Sequence, residues 1–131
     1  MKYILMMNAP RGTGDWDIFK WAPEDIEAHL AYWRSLNQEL HEAGELVNVE
    51  ALAAPGEARR VRADQRGLPL TDGVFPETKE FLAGYWIIDV ENAERAYAIA
   101  AKASAAPGPG GKPLGMPLEV RQVMRSPASD L

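Results

Sequence analysis

Apolar and polar residues follow two kinds of spacing along the chain, and each spacing predicts one kind of secondary structure. Apolar residues at helical spacing predict a first helix over residues 23–43, in which Pro23 suits the first helical position and Gly44 the stop. A second helix is predicted from residue 93 to about residue 104, after a capping pair that ends at Asn92. Short apolar or alternating runs predict strands at residues 3–7, 45–52, 58–63, 68–71, 84–90 and 118–124.

The order of these elements predicts an α+β fold. With the hairpin of residues 58–71 set aside, the order is strand, helix, strand, strand, helix, strand, which is the ferredoxin-like βαββαβ plan. Strands 3–7 and 84–90 are apolar on both faces, as central strands are, whereas the last strand alternates. Two helices cover only one face of such a sheet. We therefore expect the second apolar face to be buried in a homodimer.

The composition indicates one small domain. The chain has 131 residues, a net charge of -5 and no cysteine. We expect a single domain over residues 1–125, followed by a frayed tail over residues 126–131. The acidic balance argues against a nucleic-acid partner, which requires a basic surface. No leader is visible and the apolar runs are far too short to span a membrane, so we expect a cytoplasmic protein without a membrane partner.

Several common site motifs are missing from the sequence. The glycine-rich stretch that begins at Arg11 lacks the lysine and hydroxyl residue of a phosphate-binding loop. There is no pair of histidines at helical spacing, no cysteine pair and no Gly-x-Ser-x-Gly nucleophile motif. We therefore expect neither a metal nor a cofactor.

Residues 71–80 form a charged segment that leads directly into the strand 84–90. Gly73 and Pro76 restrict its backbone, and a restrained loop beside a buried strand suits a functional site. Each acidic residue also has a plainer interpretation. Asp72 before a glycine is typical of an Asx-turn, and Glu77 with its neighbours is typical of a solvated helical turn.

The same part of the chain resembles a known family. The run Asp-Gly-Val-Phe from Asp72 is followed by Glu-Thr-Lys-Glu, by a glycine-aromatic pair at Gly84 and by Ile-Asp-Val. This order resembles the DGPF-motif branch of the YCII-related family, with Val74 in place of the family's proline. Gln122 replaces a second proline that usually follows Val-Arg in the family. The resemblance implies subunits that pair as a dimeric α+β barrel.

The resemblance also implies two classes of function. The first is a small enzyme that performs acid/base chemistry, by proton transfer, on a small organic molecule in a pocket between the first helix and the segment 71–80. The second is a non-catalytic protein that binds a small ligand or a regulatory partner, because family members often lie near sigma-factor genes. Members of the family carry a histidine on the first helix that faces an acidic residue.

The two histidines of this chain lie in different settings on the first helix. His41 is in its last turn, where a cation stabilises the helix end. His29 lies at the edge of the inward stripe, either as a satisfied polar neighbour or as an acid/base residue. Asp72 is its natural partner, because a carboxylate that pairs with an imidazole fixes the tautomer and raises the basicity. We therefore take His29 and Asp72 as candidate catalytic residues.

Other candidates surround this predicted pocket. Arginines at residues 59–66 either protect an exposed strand from edge pairing or, through Arg62, bind an anion. Aromatic residues between Trp16 and Trp21 either anchor a loop on the core or form a lid. The candidate ligand-binding residues are Arg62, Thr71, Phe75, Glu77, Lys79 and Trp33.

Overall fold

The computed structural model describes residues 1–10, 18–74 and 80–125, and within them the chain forms an α+β fold. The helices are α1 (Pro23–Glu42) and α2 (Ala93–Ser104), with short 3-10 turns at Ile18–Lys20, Pro55–Glu57 and Pro109–Gly111. The strands are β1 (Lys2–Pro10), β2 (Leu46–Ala51), β3 (Arg59–Ala63), β4 (Pro69–Val74), β5 (Glu80–Asp89) and β6 (Leu118–Gln122).

The main sheet has four strands in the order β2-β5-β1-β6, and each neighbouring pair is antiparallel. β1 and β5 occupy the centre, as their apolar sequences predict. β3 and β4 form a separate two-stranded hairpin. The ferredoxin-like prediction with an additional hairpin is therefore confirmed.

Alternation along the central strands decides which side chains enter the core. Tyr3, Leu5 and Met7 of β1 are buried on one face, together with Trp86 and Ile88 of β5. The helices cover this face and complete the core with Leu36, Leu40, Ala96, Ile99, Ala100 and Ala103.

The opposite face of the same two strands is also apolar but remains partly accessible. Ile4 pairs with Ile87, and Met6 pairs with Tyr85. All four side chains are half-buried. This is the face that the sequence predicts to be covered by a second copy of the chain.

Both helices begin and end at residues whose local chemistry suits these positions. Pro23 opens α1, and Gly44, with a φ of 71°, follows its end in a conformation that glycine adopts easily. The Asn92 side chain accepts a hydrogen bond of 2.9 Å from the backbone N–H of Arg95 and caps α2. Neither α1 nor α2, the α-helices of the described residues, is long and apolar enough to cross a membrane.

The two strands around the charged segment are longer than predicted. β4 continues to Val74, so residues 71–74 are strand rather than loop. β5 begins at Glu80, four residues earlier than predicted. The reason lies in pairing: after a bulge between Met7 and Asn8, β1 continues antiparallel to the start of β5 as far as Pro10.

The proline- and glycine-rich connection between α2 and β6 contains local structure that its composition does not predict. Pro107 and Pro113 form an isolated antiparallel bridge around a 3-10 turn. The Gly115 N–H donates a hydrogen bond to the carbonyl of Ser104. The segment therefore folds back on itself beside the end of α2. β6 then ends at Gln122, two residues earlier than predicted.

Candidate functional site

His29 is the one charged or polar residue in the buried set of the described chain, and its exposed fraction is 0%. It lies on α1 one turn before Trp33, and the buried stripe continues through Leu36 and Leu40. The prediction that His29 lies at the edge of the inward stripe is therefore wrong, because α1 is rotated about its axis so that His29 lies within the buried stripe. Leu30, the next residue along α1, is 38% exposed.

One hydrogen bond fixes the tautomer of the His29 ring. The Nδ1 atom lies 2.9 Å from the carbonyl oxygen of Pro107. A carbonyl oxygen only accepts, so Nδ1 carries the proton and Nε2 has the free lone pair in the neutral ring. Nε2 is buried and has no hydrogen-bond partner in the part of the chain that the structure describes.

Burial keeps the His29 ring neutral. Desolvation lowers its pKa from the usual histidine value, because a charged imidazolium loses its hydration in the core. The hydrogen bond to the Pro107 carbonyl opposes this effect and is the smaller influence. A neutral imidazole with Nε2 unprotonated is the form that accepts a proton.

Aromatic side chains surround the His29 ring. Trp21 lies edge-on at a centroid distance of 5.1 Å, and Trp33 at 4.1 Å. Trp33 in turn contacts Trp86 of β5, at 5.6 Å and an angle of 78°. The Trp33 indole N–H is buried without a hydrogen-bond partner among the described residues. The His29 Nε2 acceptor and the Trp33 N–H donor, both without a described partner, thus belong to two rings in direct contact.

The Trp86 indole N–H has a defined partner on α1. It donates to the side-chain oxygen of Asn37 over 2.8 Å. Because an indole N–H only donates, the Asn37 atom that it meets is the amide oxygen. The amide NH₂ group therefore remains able to donate elsewhere.

A cleft of about 290 Å³ lies between α1 and strands β2 and β5 of the main sheet. Trp33 is the one predicted ligand-binding residue among its described lining, and His29 is not part of that lining. The cleft is lined by Met7, Leu30, Trp33, Arg34, Asn37, Val49, Glu50, Ala51, Gly84, Tyr85 and Trp86.

The remaining predicted residues divide into two groups. Arg62 and Thr71 are exposed on the β3–β4 hairpin, where their backbones pair with Leu70 and Val61. For Asp72 only the position in β4 is described, so the pairing of its side chain with His29 stays a prediction. Phe75, Glu77 and Lys79 lie outside the described residues.

The aromatic segment before α1 is described in part. Trp21 is 8% exposed and rests against His29, which favours the anchoring interpretation. Trp16 and the side chain of Phe19 lie outside what the structure describes. His41 is exposed in the last turn of α1, as predicted.

Sequence reasoning missed three parts of this site. Arg34 and Asn37 follow Leu30 at helical spacing, a signal that marks a second stripe beside the buried one. The contact of His29 with Pro107 had no such signal, because it joins residues 78 positions apart through a backbone carbonyl.

Two comparisons with known proteins bear on this arrangement. The family described as the YCII-related domain matches residues 1–108, from β1 past the end of α2 to the residue after Pro107. Among curated proteins, none is similar enough in sequence to count as a match.

Proposed function

The chain belongs to the YCII-related family, and on that premise we propose that it is a small enzyme that transfers a proton to or from a small organic molecule beside α1. His29 is the proposed acid/base residue. The observation that carries the proposal is the buried His29 ring, whose Nδ1 is committed to the Pro107 carbonyl and whose Nε2 has no described partner.

The protonation state of His29 suits the role of a base. Its lowered pKa keeps the ring neutral at neutral pH, so Nε2 is ready to take a proton without a prior deprotonation step. The hydrogen bond to Pro107 holds the ring in one orientation, and Trp21 and Trp33 restrict its movement further. An oriented base of this kind contributes on the order of 10²–10⁴-fold to a rate.

The role proposed here for Asp72 differs from the one that the family resemblance implied. The carbonyl of Pro107 already accepts the Nδ1 proton, which is the orienting task usually given to a carboxylate. We therefore propose Asp72 as a second proton carrier, with Asp72→Asn as its separate test.

The experiment begins with a thermal-shift screen of small organic acids, since a ligand that binds the folded chain raises its melting temperature. Compounds that bind are then assayed for proton exchange with solvent by NMR in D₂O. His29→Asn keeps an N–H donor near the position of Nδ1 but has no counterpart of Nε2, so turnover should fall by roughly 10²–10⁴-fold. His41→Gln, which changes an exposed histidine on the same helix, should leave turnover unchanged. Wild-type turnover in His29→Asn would overturn the proposal.

A second candidate function is the binding of a small ligand without catalysis, including a regulatory role. The cleft favours it, because Trp33 is part of the described lining and His29 is not. In that case ligands bind without any proton exchange, and His29→Asn lowers the free energy of unfolding while ligand affinity stays as in the wild type.

A further inference from the structure

We infer that the cleft between α1 and strands β2 and β5 binds a small carboxylate with a flat apolar body, and that Arg34 is the cation that meets the carboxylate. This inference rests on the proposed function only in placing the ligand beside α1. It holds whether or not His29 transfers a proton.

The walls of the cleft suit an apolar body. Trp33 and Trp86 meet edge-to-face at 5.6 Å, and Met7, Val49 and Leu30 add aliphatic surface. Indole faces favour flat ring systems, which stack on them or meet them edge-on. A volume of about 290 Å³ is at the lower end for small-molecule sites, which selects a ligand of about one ring with short substituents.

Arg34 is available for a ligand. Arg95 and Lys102 are both committed to carboxylates, Glu45 and Glu39 respectively. Arg34 has no ion pair or hydrogen bond of its guanidinium within the described ranges of the chain, and it is exposed at the cleft. A guanidinium presents two parallel N–H groups whose spacing matches the two oxygens of a carboxylate.

Glu50 is the one acidic residue in the described lining, and its carboxylate points away from an anion in the cleft. Glu50 pairs with Tyr85, which alternates with the buried Trp86, so the Glu50 side chain lies on the opposite face of the sheet. Its backbone carbonyl is what lies next to Gly84. Arg34 therefore sets the local charge on the cleft side.

The Asn37 side chain also favours an acceptor ligand. The oxygen of its amide is occupied by the Trp86 indole N–H, which leaves the amide NH₂ group as a donor. A donor beside a cation matches the oxygens of a carboxylate and does not match a ligand that mainly donates.

The test compares benzoate with benzamide, its uncharged counterpart of nearly equal shape. Binding is followed by the ¹H–¹⁵N signals of the tryptophan indoles, assigned with Trp33→Phe and Trp86→Phe. Benzoate should shift the Trp33 and Trp86 signals and bind at least tenfold more tightly than benzamide. Arg34→Gln should weaken benzoate by about tenfold or more and leave benzamide unchanged, because one charge-assisted pair is lost.

Two variants serve as controls. Arg66→Gln removes an exposed arginine in the hairpin turn and should change neither affinity. Arg34→Lys keeps the charge without the two-pronged geometry and should lie between the wild type and Arg34→Gln.

The inference is overturned if the wild type does not bind benzoate, if benzamide binds equally well, or if Arg34→Gln keeps full benzoate affinity. Its failure is distinct from that of the proposed function. His29-dependent turnover without a preference for benzoate would overturn this inference alone. Benzoate binding through Arg34 with turnover unaffected by His29→Asn would overturn the proposed proton transfer alone.

Discussion

His29 of α1 and Pro107 of the α2–β6 connection are joined by a 2.9 Å hydrogen bond between residues 78 positions apart in sequence. The bond orients the buried imidazole. It also attaches the glycine- and proline-rich α2–β6 connection to α1. Burial also favours the neutral form of the His29 ring, because a charged imidazolium loses its hydration in the core.

The first prediction is that stability falls as the pH is lowered through the usual histidine pKa of about 6.5 toward the lowered pKa of the folded-state ring. The unfolded chain takes up a proton on His29 near the usual value of about 6.5, whereas burial lowers the pKa of the folded-state ring. Between those two pKa values the unfolded state binds more protons, so the free energy of unfolding decreases with falling pH, by at most about 1.4 kcal/mol per unit for one group. Urea titrations at several pH values measure this slope.

One variant checks that the slope belongs to His29. His29→Phe keeps an aromatic ring but removes the titrating group, so the slope should flatten. A slope that survives in His29→Phe would assign the effect to another group.

The second prediction concerns the close approach of β2 and β5 at Gly84. A Cβ atom there would lie 2.8 Å from the backbone carbonyl oxygen of Glu50, a contact that neither strand can relieve without moving. Gly84→Ala should therefore lower the free energy of unfolding by about 1–3 kcal/mol. Gly56→Ala, where a Cβ meets nothing within 4 Å, should change it by less than about 0.5 kcal/mol. Equal effects in chemical denaturation would contradict the importance of this approach.

The third prediction concerns the ion pair that joins α2 to the start of β2. Arg95 donates two hydrogen bonds to Glu45, of 2.7 and 2.9 Å, and these bonds lower the pKa of the Glu45 carboxyl. The pair therefore stabilises the fold above the usual glutamate pKa, and this contribution is lost as the pH falls through the lowered value.

Glu45→Gln should lower the free energy of unfolding by about 1 kcal/mol at pH 7. The value is moderate because the Arg95 side chain is 35% exposed. Glu39→Gln breaks the more exposed pair with Lys102 and should cost less than about 0.5 kcal/mol. The comparison is made by denaturant unfolding at low and high salt. A larger loss of unfolding free energy in Glu39→Gln than in Glu45→Gln would contradict this prediction.

The fourth prediction is a homodimer that buries the sheet face opposite the helices. Ile4, Met6, Tyr85 and Ile87 form an apolar centre on this face, and each is only half-buried in the single chain. Light scattering should give the mass of two chains at micromolar concentration. Ile87→Lys introduces a charge at the centre of the face and should yield monomers, because an unpaired charge is costly in a buried interface. A monomeric wild type would refute the prediction.

The sequence predicted correctly the elements whose ends are determined by residues at those ends. The bounds of α1 follow from Pro23 and Gly44, and the start of α2 follows from the cap at Asn92. The early start of β5 has no local cause, because it depends on pairing with the last residues of β1 after a bulge. Element type was therefore predictable, while the ends of paired strands were set by their neighbours.

The site was less predictable, for a related reason. His29 was selected from the sequence as the histidine of interest, but its place in the centre of the buried stripe depends on how α1 is rotated over the sheet. That rotation is set by contacts with Trp86 and with Pro107, which are distant in sequence. Asp72 was chosen for the turn chemistry of a loop, and its backbone is part of β4 instead.

The central position of β1 has a consequence for how the chain is made. Tyr3 pairs with Ile88 on one side and with Gln122 on the other, so β1 gains both neighbours only after β5 and β6 have been synthesised. At roughly 5–20 residues per second, several seconds pass between the synthesis of β1 and that of β5. During that interval the nascent chain exposes an apolar strand with two unpaired edges, so we expect its yield in cells to depend on chaperones and on the speed of translation.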